Sequence, residues 1–255
     1  MIKRLFMAGV MMACVLLYSG VRAEDPKILV SNANKAYADG MYAQAAELYK
    51  KVADDGYASP GLFFNLGNAC FKMNDIPSAI LWYERARKLS PGDEAINYNL
   101  NVANSKISDK IEPVPELFYK RWYTSVLELF SSDAWAWITV VLFLLTCASG
   151  VLYVVSRPMF VRKTAFWAAA GLAVLFLLSC QLSWKSYSVL KNTREAIIMT
   201  PVVTVKSSPD EKSIDLFVLH EGSKVTLLDR IGKWYEIRIA NGSVGWLPDD
   251  TMEQI

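Results

Sequence analysis

The sequence contains few of the residues from which active sites are built. It has one histidine and four cysteines, with no Cys-x-x-Cys pair and no cluster of histidine with cysteine. These cysteines predict neither a zinc site nor a disulfide framework. No nucleophile elbow, phosphate-binding loop or paired-carboxylate motif is present. We therefore expect a protein that is not an enzyme and has no catalytic residues, metal site or cofactor.

The sequence also lacks a basic region outside its apolar stretches. The formal net charge is +2, and the surplus of Lys and Arg lies in the first residues and around two long apolar runs. A nucleic-acid interface needs a basic face, so nucleic acid is not an expected partner. The apolar runs contain no charged residue, which argues against a transporter or a proton relay.

Apolar residues make up 53% of the chain, and two uncharged runs stand out, 134–155 and 165–184. Each supplies the roughly 20 apolar residues that a transmembrane helix needs. Aromatic residues mark the ends of both runs, as at the two interfaces of a bilayer: Trp135, Trp137 and Trp184 at one pair of ends, Tyr153 and Trp167 at the other. The sequence therefore predicts a two-helix transmembrane hairpin in contact with lipid.

Positive charge predicts the orientation of this hairpin. The loop 156–164 contains Arg157, Arg162 and Lys163, and short basic loops stay in the cytoplasm. Residues 1–23 have a positive start, a short apolar stretch and small residues before Ala23, which is typical of a secretory signal peptide. An uncleaved anchor helix is the alternative. We expect a protein of the bacterial inner membrane with both terminal modules in the periplasm.

Between the signal peptide and the first span, the chain repeats itself. The segments 26–59 and 60–93 are aligned without a gap, and each reads as helix, turn and helix. The second segment resembles the tetratricopeptide repeat (TPR) through its 34-residue period and its signature positions: Phe63, Leu66, Gly67, Ala79, Tyr83, Ala86 and Pro91. We predict an all-α TPR domain over 24–107, capped by a helix over 94–107.

The TPR resemblance implies a concave face, lined by the first helix of each repeat, that binds peptides or partner helices. The expected partner-binding residues are Asn34, Tyr37, Phe64, Asn68, Phe71 and Tyr98. A carboxylate clamp is incomplete, because Val30, Ala95 and Asn99 occupy its basic positions. The alternative is that half of these residues only pack against the next repeat.

A linker over 108–133 joins the repeats to the first span. It begins with Pro113 and Pro115, which favour extended chain. Apolar residues then recur along one helical face from Leu117 to Phe130, beside Lys120 and Arg121. This pattern indicates either a helix lying on the membrane surface or a plain linker helix.

The last segment, 194–255, changes to short alternating strands broken by Gly, Pro, Asn and Asp. It resembles a bacterial SH3 domain, most clearly in the stretch GSVGWL at 242–247, and predicts a small all-β barrel. Trp234 and Trp246 are its expected ligand-binding residues, or else they fill the barrel wall. His220 lies between a strand and a turn without catalytic partners, so we expect it to be structural.

The order of these parts resembles the BatE proteins of the Bacteroides aerotolerance operon. The resemblance implies partners that are membrane proteins with von Willebrand factor A domains, and a link to oxidative-stress tolerance. Two hypotheses of function follow. The protein is a membrane-anchored scaffold that binds partners through the TPR face, or an envelope sensor that binds peptidoglycan through the SH3-like module.

Overall fold

The structure is a computed structural model that describes residues 25–115 and 117–255. The signal peptide expected at 1–23 lies outside the described residues. The described chain consists of a helical repeat region, a pair of long apolar helices and a β-sheet.

Residues 26–104 form five helices: α1 (Pro26–Ala38), α2 (Tyr42–Asp54), α3 (Pro60–Lys72), α4 (Ile76–Leu89) and α5 (Glu94–Asn104). Side-chain caps start most of them. The Ser59 hydroxyl accepts a hydrogen bond from the Leu62 N–H, and the Asp75 carboxylate accepts one from the Ser78 N–H. These caps satisfy N–H groups that have no partner within the helix.

The turns within the two helix pairs have the same backbone conformation. Gly40, in the turn between α1 and α2, has φ +78°. Its aligned counterpart Asn74, in the turn between α3 and α4, has φ +63°. Both lie in the left-handed region, which Gly and Asn adopt more readily than other residues. The two helix pairs therefore turn in the same way.

Small residues stand where the helices of a repeat touch, as the sequence predicts. A Cβ added at Gly67 would lie only 2.6 Å from Cδ1 of Tyr83, so α3 and α4 can approach closely only with glycine there. Ala33, the aligned residue of the first repeat, is fully buried. Close-packed interiors do not tolerate extra volume at such points.

Three helices follow the repeats: α6 (Phe118–Leu127), α7 (Ser132–Val155) and α8 (Met159–Asn192). The last two are long and apolar enough to cross a membrane. They pack along each other, with the rings of Phe143 and Phe176 5.6 Å apart. Only residues 156–158 separate them, so six of the nine residues of the predicted loop 156–164 belong to the first two turns of α8. At its other end α8 continues eight residues past the predicted span end at Trp184.

Trp135 differs from the expectation of an exposed interfacial ring. Its indole Nε1–H donates to the carbonyl oxygen of Leu127 at 3.1 Å, and its ring meets Phe130 edge-on. Trp135 is buried, whereas Trp137 and Trp184 are highly exposed. It therefore fixes α6 to the first turn of α7.

The C-terminal region forms one antiparallel sheet of seven strands: β1 (Glu195–Ile198), β2 (Val202–Lys206), β3 (Asp215–His220), β4 (Lys224–Ile231), β5 (Trp234–Arg238), β6 (Val244–Pro248) and β7 (Met252–Gln254). The strand order is β3-β2-β6-β5-β4-β1-β7. The sheet of the predicted small barrel is not closed, because among the described residues its edge strands β3 and β7 make no ladder with each other.

Side chains of α4 and of the linker bind backbone groups at the two edges of this open sheet. Arg85 of α4 donates to the carbonyl oxygen of Gln254 and pairs with Glu253 on β7. At the opposite edge, the N–H of His220 on β3 donates to the carboxylate of Asp109. Edge groups that are occupied by side chains need no neighbouring strand.

The sheet and the repeats also share apolar packing. Ile197 of β1 belongs to the same buried cluster as the helical core. A Cβ added at Gly222, in the turn between β3 and β4, would lie 2.5 Å from Cγ2 of Ile107 and 3.3 Å from Cδ1 of Ile80. The repeats, the segment after α5 and the sheet therefore form one packed unit, the TPR–sheet unit.

We predict that Gly222→Ala destabilises this unit more than Gly232→Ala does. Both glycines have positive φ, but a Cβ at Gly232 meets nothing within 4 Å. The control should cost about 1 kcal/mol for backbone strain, and Gly222→Ala roughly 1–3 kcal/mol more for the clash. Thermal unfolding of the full chain in detergent measures the difference, and equal losses would contradict the proposed packing.

Candidate functional site

The first helices α1, α3 and α5 lie side by side and form one face of the repeat region, here called the groove face. The link is direct, since the Asn99 Nδ2 group on α5 donates to Asn68 Oδ1 on α3 at 2.8 Å. All six residues expected to bind partners lie on these helices: Asn34 and Tyr37 on α1, Phe64, Asn68 and Phe71 on α3, and Tyr98 on α5.

A repeated hydrogen bond between asparagine and tyrosine organises this face. The Tyr49 hydroxyl donates to Asn34 Oδ1 at 2.6 Å, and the Tyr83 hydroxyl donates to Asn68 Oδ1 at 2.7 Å. Each pair joins the first and second helix of its own repeat. The side-chain oxygens of Asn34 and Asn68 are therefore engaged within the protein, and these two residues shape the groove face.

The electrostatics of the tyrosines make these bonds insensitive to pH. Burial raises the pKa of Tyr49, and the neighbouring Tyr37 raises it further, while a hydrogen bond with Asn65 lowers it. Burial likewise raises the pKa of Tyr83, and this effect exceeds the lowering caused by a hydrogen bond with Asn99. Both phenols stay protonated in the physiological range and remain donors.

The aromatic residues of the groove face divide by accessibility. Phe64 is half-buried, with its ring 5.9 Å from that of Tyr83, and Phe71 also packs on the core. Tyr37 meets the ring of Tyr42 edge-on at 5.2 Å. Tyr98 is different, because 70% of it is exposed. Packing between helices thus uses Tyr37, Phe64 and Phe71, while Tyr98 presents nearly its whole ring.

Sequence reasoning missed the part played by Asn99, which it treated only as an absent basic residue. Here Asn99 bridges to Asn68 across neighbouring repeats. Tyr49 and Tyr83 were predicted only as matching repeat positions, not as partners of asparagine. A signal for the pairs existed, since asparagine and tyrosine recur 15 residues apart in both repeats.

A second polar cluster joins the linker to the sheet. Asp109 accepts hydrogen bonds from the His220 N–H and the Ser223 hydroxyl, both at 2.7 Å, and its other oxygen contacts His220 Nδ1 at 2.7 Å. Burial raises the pKa of Asp109, but these hydrogen bonds outweigh it, and the net pKa is lowered. The geometry agrees with the structural role expected for His220.

A buried carboxylate strengthens the same interface. Glu84 of α4 is nearly inaccessible and accepts from Arg87 at 2.8 Å and from Lys224 of β4 at 3.1 Å. Lys224 also reaches Glu195 of β1 at 2.8 Å. A buried charge is tolerated when it is paired and hydrogen-bonded in this way. The sheet therefore covers the outward side of α4, the second helix of the second repeat.

The two tryptophans expected to bind ligand share the outer face of the sheet. Trp246 pairs with Glu236, two residues from Trp234 along β5. Their strand neighbours Ile237 and Leu247 point inward and are buried. Because side chains alternate along a strand, Trp234 and Trp246 lie diagonally on the solvent side, where both are half-buried. They do not fill the core of the sheet.

Comparison with known families identifies one of the repeats. The profile of the tetratricopeptide repeat matches residues 60–93, which contain α3 and α4. The helix pair α1 and α2 repeats the same geometry immediately before it, so the region consists of helical repeats. A comparison with curated proteins finds no match. A tetratricopeptide repeat indicates binding of protein partners, while the SH3 and BatE resemblances stay predictions.

We predict that Asp109→Asn weakens the TPR–sheet unit in a pH-dependent way. The lowered pKa means that the ionised carboxylate stabilises the fold above its ordinary value of 3.8, and that this stability is lost as the pH falls through the lower folded-state pKa. Wild type should therefore exceed the variant in unfolding free energy near neutral pH and lose that advantage in acid.

Denaturant unfolding of the two proteins across the pH range is the measurement. Asp250→Asn is the control, because Asp250 is exposed and should change stability little at any pH. A difference between wild type and Asp109→Asn that is the same at every pH would contradict the account of an ionised, hydrogen-bonded carboxylate.

Proposed function

We propose that the protein is a membrane-anchored adaptor that binds protein partners on the groove face of its TPR region. The single observation that carries the proposal is the tetratricopeptide match over 60–93, combined with a first-helix face that presents Tyr98 with 70% of its surface exposed. Concave faces of helical repeats are extended binding surfaces. Exposed aromatic rings serve there as anchors, because they bury a large area with little loss of entropy.

The way the unit is assembled favours this face over the opposite one. The outward side of α4 is covered by the sheet through Glu84, Arg85 and Lys88. A partner that approached α4 would have to displace paired charges and apolar packing at Ile80 and Ile197. The sheet does not cover the groove face among the described residues, so this face is accessible to a partner.

The anchoring part of the proposal rests on α7 and α8. Their length and apolar composition suit a membrane hairpin, and two spans return the chain to the side from which it came. The contacts between repeats and sheet require both modules to lie on one side, which agrees with such a hairpin. The basic residues Arg157, Arg162 and Lys163 support a cytoplasmic turn, and hence periplasmic modules on a bacterial inner membrane.

Cysteine accessibility tests this orientation. In a chain without its other reactive cysteines, Ser207→Cys on the sheet should react with a membrane-impermeant maleimide in cells with a permeabilised outer membrane. Ser156→Cys, in the turn between α7 and α8, should react only after the inner membrane is disrupted. Labelling of Ser156→Cys in intact spheroplasts would overturn the assigned orientation.

The resemblance to BatE proteins suggests which partners to look for. We propose membrane proteins with von Willebrand factor A domains, in an assembly of the aerotolerance type. Such partners would meet the groove face close to the membrane surface, since the TPR–sheet unit sits directly on the ends of α7 and α8. Affinity purification from native membranes identifies them.

We predict that Tyr98→Ala weakens partner binding by roughly thirtyfold, because loss of an aromatic anchor costs about 2 kcal/mol. Tyr98 is preferable to Phe64 or Phe71, whose removal would also disturb packing on Tyr83 and the core. Co-purification with full-length wild type and variant is the measurement. Tyr57→Ala is the matched control, since Tyr57 is 53% exposed but lies between α2 and α3, outside the groove face.

A second candidate function is cell-wall binding through the sheet. The diagonal placement of Trp234 and Trp246 on one outer face favours it, because paired rings can stack on sugars. Co-purification of partners and binding to isolated peptidoglycan, measured on the full chain and its variants, discriminate the two candidates. If Tyr98→Ala retains every partner, while Trp234→Ala with Trp246→Ala releases the full chain from isolated peptidoglycan, the envelope-sensor function replaces the adaptor.

A further inference from the structure

The helix α6 presents an apolar stripe, formed by Phe118 and Trp122, that no other part of the described protein covers. Phe118 is 84% exposed and Trp122 is 70% exposed. These residues are four apart, so they lie one above the other on the helix surface. Leu127 is the buried residue of α6, and its spacing from Phe118 puts it on the opposite side. The stripe therefore faces away from the protein.

The contacts of α6 place it just beyond the apolar part of the hairpin. A cavity of about 330 Å³ lies between α6, where Tyr123 and Thr124 line it, and the stretch of α8 at Lys185 and Val189. That stretch follows Trp184 by one to five residues, or about 1.5–8 Å along the helix axis. The headgroup layer of a bilayer is roughly 5–8 Å thick on each side. Helix α6 thus lies at headgroup height if the hairpin spans the membrane.

Charge beside the stripe matches the same surroundings. Lys120 and Arg121 are both exposed, and neither forms a salt bridge with any described residue. Arg121 adjoins the stripe, whereas Lys120, two residues from both aromatic residues, lies on the other side of α6. Basic residues together with exposed aromatic side chains are typical of helices that lie in the interface of an anionic membrane. A soluble surface would leave this much aromatic area in water at a cost.

Rigid contacts connect this helix to the TPR–sheet unit. Trp135 fixes the C-terminal end of α6 to α7 through its bond to Leu127. On the other side, a Cβ added at Gly92, after α4, would lie 2.5 Å from the carbonyl oxygen of Leu129. The segment that follows α6 is thus held between the hairpin and the repeats.

We infer that α6 is a membrane-surface helix that docks on an anionic phospholipid leaflet. Phe118 and Trp122 enter the layer between headgroups and acyl chains, while Arg121 meets lipid phosphates and Lys120 adds positive charge on the water side. Docking holds the TPR–sheet unit at a set height and tilt above the bilayer, with the groove face in reach of membrane-bound partners. The inference rests on the proposed membrane anchoring of α7 and α8.

Fluorescence depth measurements on the full chain test the inference. A cysteine-linked environment-sensitive dye is placed at Trp122→Cys or, as control on the exposed turn after β2, at Ser207→Cys. Cys147 and Cys180 are replaced in these variants, and Cys14 is also removed. Cys70 can stay, because burial raises its pKa to about 12 and leaves little reactive thiolate. The proteins are placed in nanodiscs of phosphatidylethanolamine and phosphatidylglycerol.

The dye at Trp122→Cys should emit at shorter wavelength and lose intensity to a nitroxide attached just below the lipid headgroup. The dye at Ser207→Cys should instead be quenched by iodide in the water. Without phosphatidylglycerol, quenching at Trp122→Cys by the lipid nitroxide should weaken, and Lys120→Gln with Arg121→Gln should remove that dependence on lipid charge. Iodide quenching at both positions would overturn the inference, as would protection of Trp122→Cys from both quenchers, which would indicate a protein cover.

A third label separates this inference from the anchoring on which it rests. Dye on the native Cys147, which lies exposed in α7, should be quenched by a nitroxide deep in the acyl chains. If Cys147 is quenched and Trp122→Cys is not, the anchor stands and the surface helix is wrong. If Cys147 itself escapes the lipid quencher, the membrane hairpin and the docking of α6 both fail.

Discussion

The contact between α4 and the sheet is the constraint from which the arrangement of the protein follows. Gly222 packs closely against Ile80 and Ile107. The buried carboxylate of Glu84 pairs with both Arg87 and Lys224. Interfaces of this kind resist sliding, because a displaced Glu84 would be left as a buried charge without partners. The repeats and the sheet, which α7 and α8 separate along the chain, thereby become one body. The two long apolar helices therefore leave this body and return to it.

This union also explains the form of the sheet. Small β modules that fold alone commonly hide their edges by closing on themselves. Here α4 side chains bind backbone carbonyl groups at the β7 edge, and Asp109 binds an N–H group at the β3 edge. Closure is unnecessary when the rest of the chain supplies the cover. For the same reason the segment 194–255 lacks part of its own support when it is separated from Ile107, Asp109 and α4.

The groove face illustrates how a short repeat array gains stability. Two and a half repeats bury little core on their own. The bonds of Tyr49 to Asn34 and of Tyr83 to Asn68, together with the bridge from Asn99, tie each first helix to its neighbours. Polar residues that looked available for a ligand thus stabilise the repeat array, and Tyr37, Phe64 and Phe71 pack within it. Tyr98, on α5, has the most exposed ring of the groove face.

The amino-acid sequence by itself determined the local parts of this protein, because each has a periodicity of its own. The 34-residue period predicted the helix pairs, and the structure adds that their turns at Gly40 and Asn74 share a left-handed conformation. The uncharged runs gave α7 and α8, and alternation with glycine turns gave the strands. Tertiary structure alone decided the open sheet, the burial of Trp135 and the pairing of Asp109 with His220 across 111 residues. The edges of the sheet and the Asp109–His220 pair depend on contacts between segments remote in the chain, and the burial of Trp135 depends on how α6 folds back on the first turn of α7. No local pattern encodes these partners, so neither propensity nor spacing could predict them.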